Sequence, residues 1–202
     1  KLIAKTAGYK KTCLELGGNS PLIILEDADM ELAVKLAAEG SFRNSGQRCT
    51  AVKRILVQDS ILDEFTEKFV AKAKEYTCGD PEDPDTFVGT VIDEPAAIYL
   101  EEVVKQAEVD GAKVLLGGNR KGAQMEPTVL SDVPRDSKIV AEESFGPLAP
   151  IMAIRDLDDA IAYYNGGNFG LSTGIVTNNM SEALKAAKHL RTGTTNINEV
   201  PG

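Results

Sequence analysis

Asn44-Ser45-Gly46-Gln47-Arg48-Cys49-Thr50 is a turn of small and polar residues between a helical pattern and the strand-like run Arg54-Ile55-Leu56-Val57. Glycine removes bulk beside the cysteine and polar donors surround it, which is typical of a thiol presented for attack. Cysteine is also among the most buried residue types, so the same stretch is compatible with a small core side chain. The helix-turn-strand pattern indicates the fold, whereas these residues alone leave the role of Cys49 open.

Strand-like runs alternate with helical periodicity on both sides of that turn. Leu22-Ile23-Ile24-Leu25 is a continuous apolar run typical of a strand buried on both faces, and Asp27 and Asp29 offer capping oxygens for a helix over 30–42. Further helices are predicted over 61–76, 94–109, 157–164 and 181–190, and further strands over 55–58, 113–116, 127–130, 149–154, 172–177 and 194–198. We therefore predict an α/β fold with a doubly wound, mostly parallel sheet and helices on both faces.

The first residues predict the end of a helix that Gly8 terminates, followed by a short strand over 12–16. This strand would bring Gly17 to the carboxyl end of a strand. Active sites of open α/β sheets lie beyond such ends. We therefore expect the site at that edge of the sheet.

Composition excludes several classes of protein. No apolar run among the 202 residues approaches the roughly 20 needed to cross a bilayer, so a membrane protein is not expected. The net charge of −9 argues against a general nucleic-acid binder, because binding to phosphate backbones needs clustered Lys and Arg. Three widely spaced cysteines and a single histidine predict neither a disulfide framework nor a metal site, and a cytoplasmic location fits them best.

A few polar side chains stand out around the cysteine turn. Glu15 lies between two leucines, where alternation allows either a solvated position or a half-apolar pocket that suits a general base. Arg48 is either solvated or turned inward to hold a carboxylate or phosphate. Glu143 is either a surface charge or part of a site, and Phe145, beside Gly146, is either core or part of a site.

Three motifs resemble those of the aldehyde dehydrogenase superfamily. Leu14-Glu15-Leu16-Gly17-Gly18 is similar to its glutamate motif, Gly46-Gln47-Arg48-Cys49 to its nucleophile motif, and Glu142-Glu143-Ser144-Phe145-Gly146-Pro147 to its cofactor-contact motif. The order of the motifs matches, and so does the separation of 34 positions between Glu15 and Cys49. The resemblance covers essentially the entire chain.

The resemblance implies an NAD- or NADP-dependent dehydrogenase that converts an aldehyde to a free acid. Cys49 would attack the aldehyde carbon and form a thiohemiacetal and then a thioester, and Glu15 would activate the water that hydrolyses it. Glu143 would hold the nicotinamide ribose hydroxyls, Phe145 would pack near the ring, and the backbone of Leu16 would lie beside the nicotinamide. Transfer of the acyl group to coenzyme A is disfavoured, because relatives of that type do not use this glutamate.

The stretch from Gly46 to Arg54 is most similar to members that oxidise phosphorylated or phosphonate aldehydes, such as non-phosphorylating glyceraldehyde-3-phosphate dehydrogenase and phosphonoacetaldehyde dehydrogenase. In those members an arginine before the cysteine receives the anion, which makes Arg48 a candidate substrate-binding residue. Lactaldehyde or another small aldehyde is the alternative substrate.

Members of the family are about twice as long as this chain or longer. We therefore interpret residues 1–16 as the tail end of a cofactor-binding domain with its linker, and residues 17–202 as the catalytic domain. The cofactor-binding half and the oligomerisation arm are then absent, and the isolated chain is not expected to oxidise aldehydes. The full-length protein is expected to be a homodimer or homotetramer.

Two other classes of function remain. A cysteine-dependent acyl transferase or esterase would need Cys49 but no nicotinamide, so Glu143 and Phe145 disfavour it. A catalytically silent structural protein could keep the fold. The combination of Glu15 and Cys49 disfavours this second alternative.

Overall fold

The computed structural model describes residues 2–202 and contains seven α-helices and nine strands within that range. The helices are α1 (Leu2–Ala7), α2 (Met30–Phe42), α3 (Leu62–Ala73), α4 (Glu94–Val109), α5 (Lys138–Ala141), α6 (Leu157–Asn165) and α7 (Met180–His189). The strands are β1 (Ser20–Ile24), β2 (Val52–Gln58), β3 (Lys113–Leu116), β4 (Arg120–Lys121), β5 (Gln124–Met125), β6 (Thr128–Ser131), β7 (Leu148–Ile154), β8 (Ser172–Val176) and β9 (Thr194–Ile197). The short helix α5 and the β4–β5 hairpin have no counterpart in the sequence-based prediction.

Seven strands form one sheet in the order β3-β6-β7-β2-β1-β8-β9. Every neighbouring pair is parallel except β3 and β6, which are antiparallel at the edge. Helices connect most of the parallel strands, as crossover connections require. The predicted doubly wound, mostly parallel sheet is confirmed.

Two apolar layers cover the sheet, one on each face. Leu22 and Ile24 of β1 pack with α2 and α3, whereas Ile23 between them packs in the layer that contains α4, α6 and α7. This alternation follows from the two-residue period of a strand, and it explains why β1 is apolar at successive positions. The sheet is therefore buried on both faces, as the run at residues 22–25 predicted.

Aromatic stacking fixes the end of α2, which leads into the cysteine turn. The ring of Phe42 stacks on Phe69 of α3 with a centroid separation of 6.1 Å and meets Tyr76 at 5.5 Å. Phe42 and Phe69 are fully buried. Aromatic pairs at these distances contribute about 0.5–1.5 kcal/mol beyond the area they bury. The end of α2, from which the chain enters the Cys49 turn, is therefore held in place by packing of Phe42.

The motif segments lie at the amino ends of the strands, so the prediction of a site at the carboxyl ends is wrong. Residues 17–18 precede β1, residues 44–50 precede β2, and residues 142–147 precede β7. These three strands are adjacent and parallel, so their amino ends meet at one edge of the sheet. Helix-to-strand connections, rather than strand-to-helix ones, therefore build this edge.

The predicted strand over 12–16 is also wrong. Residues 11–16 are exposed and belong to no strand of the described chain. Alternation of apolar and polar residues produces a strand only where a neighbour satisfies its backbone and buries one of its faces. This segment has neither in residues 2–202, so Glu15 lies in an exposed connection without regular secondary structure.

Only one of the two predicted capping aspartates caps α2. Asp29 accepts a hydrogen bond from the backbone N–H of Leu32 at 3.0 Å. Asp27 instead accepts from the hydroxyl of Thr177 at 2.8 Å and the backbone N–H of Asn178 at 2.9 Å. It therefore ties the end of β1 to the end of β8, which is a contact distant in sequence.

None of the helices in residues 2–202 has the length and apolar character that crossing a bilayer requires.

Candidate functional site

The turn before Cys49 has an unusual backbone. After α2 ends at Phe42, Asn44, Ser45 and Gly46 all have positive φ angles, of 54°, 53° and 69°. Non-glycine residues in this region cost about 1 kcal/mol or more each, and they persist only where the surroundings hold them. Here the Asn44 amide donates to the carbonyl of Gln47 at 3.1 Å, and the Gln47 amide donates to Thr90 at 3.2 Å. The chain thus reverses tightly and presents Cys49 just before β2.

The structure brings Glu15 and Cys49 together. Cys49 is a free, half-buried thiol, and the exposed Glu15 carboxylate lies within hydrogen-bonding reach of it. Partial burial raises the pKa of Cys49, and the neighbouring Glu15 carboxylate with its negative charge raises it further. The backbone N–H groups of Cys49 and Thr50 act in the opposite direction, but less strongly. The thiol is therefore held protonated next to a carboxylate that can accept its proton.

The turn that carries Cys49 follows the C-terminal end of a helix and not a helix N-terminus, which is one of the possible activators of a thiol. The turn follows the C-terminal end of α2, where unpaired carbonyls carry partial negative charge. Arg48 neutralises part of it, because its Nη2 donates to the carbonyl of Gly40 at 3.3 Å. The Nε of Arg48 is buried and has no hydrogen-bond partner among the described residues. Arg48 is thus turned towards the end of α2, within electrostatic range of the Cys49 sulfur.

Two glycines allow the Glu15 segment to pack against the other motifs. A Cβ on Gly18 would lie 2.3 Å from the carbonyl oxygen of Cys49, and one on Gly17 would lie 2.2 Å from Oε2 of Glu143. A larger residue at Gly18 would force its segment away from the Cys49 backbone, whereas one at Gly17 would displace the Glu143 carboxylate and be strained by a φ of +91°. Glycine at both positions therefore lets the glutamate, nucleophile and cofactor-contact motifs pack closely against one another.

Glu143 accepts a hydrogen bond from the backbone N–H of Gly18 at 3.1 Å. Beside it in the chain, Phe145 is 45% exposed with a φ of 52°, so its interpretation as a core residue is wrong. Leu16, next to the Gly17–Glu143 contact, is 69% exposed. Both apolar side chains are thus accessible to a ligand beside the half-buried carboxylate of Glu143. A carboxylate acceptor beside open apolar side chains fits a ribose with a flat aromatic ring, as in a nicotinamide nucleotide.

Sequence reasoning missed the buried cations that hold these loops. Arg54 donates from Nε to the carbonyl of Asn19 at 3.0 Å, and the Asn19 amide donates to the carbonyl of Val140 at 2.9 Å. The Arg54 guanidinium also lies over the ring of Tyr164, 5.3 Å from its centroid. Lys53 is 1% exposed and donates to the carbonyls of Gly46 and Gly146. The available signal was a pair of cations at the start of a strand that is otherwise apolar.

Other features of the described chain do not belong to this site. A groove of about 1070 Å³ lies between α3 and the sheet, lined by residues such as Val70, Lys74 and Arg135, and it contains none of the six predicted site residues. No cluster of three or more His, Cys, Asp or Glu side chains in residues 2–202 could hold a metal ion. The motif segments are thus the site on which a function can be argued.

The contact between Glu15 and Cys49 has a measurable consequence. In a background with Cys13 and Cys78 replaced by serine, Glu15→Gln is expected to lower the pKa of Cys49, because it removes a negative charge beside the thiolate. The rate of iodoacetamide alkylation as a function of pH measures this pKa. Below the pKa the variant should react faster than its parent. Glu142→Gln, which removes another exposed carboxylate, is the control, and an unchanged pKa in Glu15→Gln would show that the two groups do not interact.

Comparison with known proteins agrees with this geometry. The model of the aldehyde dehydrogenase family matches residues 1–202. The chain is 39% identical over 200 residues to sulfoacetaldehyde dehydrogenase of Neptuniibacter caesariensis. The matched region covers 99% of this chain and 44% of that protein. It is 36% identical over 199 residues to lactaldehyde dehydrogenase of Methanococcus maripaludis, covering 98% of this chain and 43% of that protein.

A solved structure is equally similar. Glyceraldehyde-3-phosphate dehydrogenase of Methanocaldococcus jannaschii, in complex with NADP, superposes with a TM-score of 0.95 at 42% identity, over 99% of this chain and 43% of that one. The chain therefore spans less than half the length of the relatives it matches. Since the family model covers the chain from end to end and the fold agrees, the chain belongs to the aldehyde dehydrogenase family.

Proposed function

We propose that this chain is the catalytic domain of a longer, NAD- or NADP-dependent dehydrogenase that oxidises a small anionic aldehyde to the free carboxylic acid. The observation that carries the proposal is the meeting of the Cys49 thiol and the Glu15 carboxylate at one edge of the sheet, beside Glu143. Nucleophile, base and ribose-binding carboxylate come from three segments that are distant in sequence. Residues 1–16 form the end of the cofactor-binding domain and the linker in this proposal.

Cys49 forms the covalent intermediates. Its proton passes to Glu15 or to water, and the thiolate sulfur adds to the carbonyl carbon, whose π electrons move to the oxygen. The backbone N–H groups that face the sulfur, those of Cys49 and Thr50, are in position to donate to the developing oxyanion. Loss of hydride from the tetrahedral carbon then gives the thioester on Cys49.

Glu15 completes the turnover. Its carboxylate takes a proton from water as the water oxygen attacks the thioester carbon, and collapse of the adduct expels the Cys49 thiolate and releases the acid. The exposure of the segment that holds Glu15 supports this role, because a water molecule can reach both groups. Hydrolysis rather than transfer to coenzyme A follows from a base in this place.

NAD or NADP, when bound, supplies the acceptor for the hydride. Glu143 would hold the nicotinamide ribose hydroxyls through its carboxylate, Phe145 would pack near the ring, and the backbone of Leu16 would lie beside the nicotinamide. Exposure of both apolar side chains supports this assignment. The relatives named above include a structure in complex with NADP.

An anion on the substrate would meet Arg48. Partial burial and the positive charge of Arg43 lower the pKa of Arg48, and Cys49 opposes this shift less strongly, so the guanidinium charge is only partly balanced by its neighbours. Its only hydrogen-bond acceptor among residues 2–202 is the carbonyl of Gly40. A sulfonate or phosphate could pair with the rest of the guanidinium. Two of the similar proteins are named for sulfoacetaldehyde and glyceraldehyde 3-phosphate, and both of these aldehydes carry an anion.

The proposal is tested with the full-length protein, purified and assayed for reduction of NAD and of NADP with sulfoacetaldehyde, glyceraldehyde 3-phosphate, lactaldehyde and propanal. We expect reduction of one cofactor and the highest kcat/KM with an anionic aldehyde. If lactaldehyde is the best substrate, the protein oxidises small hydroxyaldehydes, and the proposed anionic substrate class is wrong. Ester hydrolysis without any reduction of cofactor would favour a thiol esterase.

Arg48→Ala in the same assay is expected to lower kcat/KM for the anionic aldehyde by about 10- to 100-fold, the range for a lost charge-assisted hydrogen bond. Activity with propanal should stay within about threefold, since propanal makes no such bond. Arg43→Ala is the matched control, because Arg43 is exposed in the same turn. An equal loss with both aldehydes would refute the anion-binding role.

A further inference from the structure

Lys53 is a buried cation without a carboxylate partner. It is the second residue of β2, is 1% exposed, and forms no ion pair within residues 2–202. Both of its hydrogen bonds go to backbone carbonyls, those of Gly46 and, at 2.9 Å, Gly146. Burying an ammonium group is expensive unless it is well paired, so a neutral side chain would be the simpler choice for stability alone.

The two acceptors belong to different motifs. Gly46 lies in the turn that presents Cys49, whereas Gly146 follows Phe145 in the cofactor-contact loop. The two backbones are in direct contact, because a Cβ on Gly46 would lie 2.1 Å from the oxygen of Gly146. A single amine thus joins segments that are 100 positions apart in the sequence.

Electrostatics around the amine are consistent with a bridge rather than an ion pair. Burial lowers the pKa of Lys53 to about 7, the negative charge of Glu143 opposes this shift, and the positive charge of Arg48 adds to it. An ammonium has three N–H donors and a neutral amine has two, so both forms can donate to both carbonyls. The bridge is therefore retained on either side of neutral pH.

We propose that Lys53 is a positioning residue that fixes the distance between the Cys49 turn and the Glu143–Phe145 loop. Through the proposed function, on which this inference rests, the lysine sets where the nicotinamide ribose stands relative to the thiol. Without the amine, the carbonyls of Gly46 and Gly146 lose their shared donor and the two backbones can separate. Displacement of reacting groups by about 1 Å can cost on the order of 100-fold in rate.

The test is Lys53→Met in the full-length protein, with Lys121→Met, at an exposed lysine of the β4–β5 hairpin, as the control. We expect KM for the cofactor to rise by about 5- to 10-fold and kcat to fall by about 10- to 100-fold. KM for the aldehyde should stay within about twofold, because the aldehyde binds on the Cys49 side of the joint. A second readout needs no turnover: the NAD(P) concentration that half-protects Cys49 from iodoacetamide should rise by the same factor as KM.

The outcomes separate this inference from the proposed function. The proposed function is refuted if the wild-type protein does not reduce NAD(P) and NAD(P) does not protect its Cys49 from iodoacetamide. Active wild-type protein together with unchanged cofactor KM and half-protection in Lys53→Met refutes the role of Lys53. An equal rise of both KM values would mean general destabilisation and also refutes it. If Lys53→Met does not fold, Lys53→Ile, which has no donor and suits a strand, takes its place, and a half-protection concentration raised by less than about twofold overturns the inference.

Discussion

Alanine in place of Cys49 is expected to lower kcat/KM of the full-length protein for NAD(P)-linked aldehyde oxidation by about 10⁴-fold or more. The reason is that no other group can form the covalent adduct from which the hydride leaves. Cys13 is exposed in the connection before β1, and Cys78 bonds the carbonyl of Met125 through its thiol at 3.6 Å, in another part of the fold. The measurement is the initial rate of cofactor reduction as a function of aldehyde concentration, from which kcat/KM is obtained.

Cys78→Ala is the matched control, since it removes another half-buried thiol from the same chain. It should retain nearly full activity. The Kd of the cofactor for Cys49→Ala should be unchanged within about threefold, because the Glu143 loop is intact. Quenching of protein fluorescence or calorimetry measures this Kd. Substantial turnover by Cys49→Ala would remove the covalent mechanism.

Glu15→Gln is expected to separate the two halves of the reaction. Loss of the base should leave a burst of about one equivalent of reduced cofactor per active site and lower the steady-state rate by about 10²- to 10⁴-fold. The burst persists because acylation needs only the thiolate, and removal of Glu15 lowers the pKa of Cys49 and so makes the thiolate easier to form. Rapid-quench measurement of reduced cofactor and of the acylated protein by mass spectrometry checks both parts.

Glu142→Gln should behave like the wild type in this experiment. Glu142 is exposed, one residue before Glu143, and the polar contacts of its carboxylate are the Tyr99 hydroxyl at 3.4 Å and the Lys138 amine at 4.0 Å. If the burst in Glu15→Gln falls as much as the steady state, Glu15 acts before the thioester forms, and its proposed role in hydrolysis is wrong. If neither changes, another group or bulk water performs the hydrolysis.

Much of the fold could be predicted from local pattern. The helix over 94–109 and the strand over 113–116 agree with α4 and β3 at both ends, and the helix over 30–42 agrees with α2. These elements have a strong apolar period and clear caps, such as Asp29 and Asp93, each of which accepts a backbone hydrogen bond. Local signals of this kind do not depend on distant neighbours.

The failures share a cause in long-range contacts. Residues 12–16 alternate like a strand but find no partner strand within residues 2–202, and Asp27 resembles a cap but bonds Thr177 and Asn178 instead. Placing the site at the carboxyl ends of the strands depended on that missing strand. Neither error could be seen in a window of neighbouring residues, because the deciding contacts lie up to 151 positions away.

For the site, sequence alone identified the chemistry-bearing residue types and, through the resemblance of three motifs, the family. Tertiary structure decided which of these residues contact one another. It places Glu15 beside Cys49, Glu143 against Gly18, and a buried Lys53 between two loops. Local periodicity determines helices and strands because their hydrogen bonds and exposed faces repeat over a few residues. Convergence of the catalytic groups depends on packing of the amino ends of β1, β2 and β7 at one edge of the sheet, which arises only when the whole core forms.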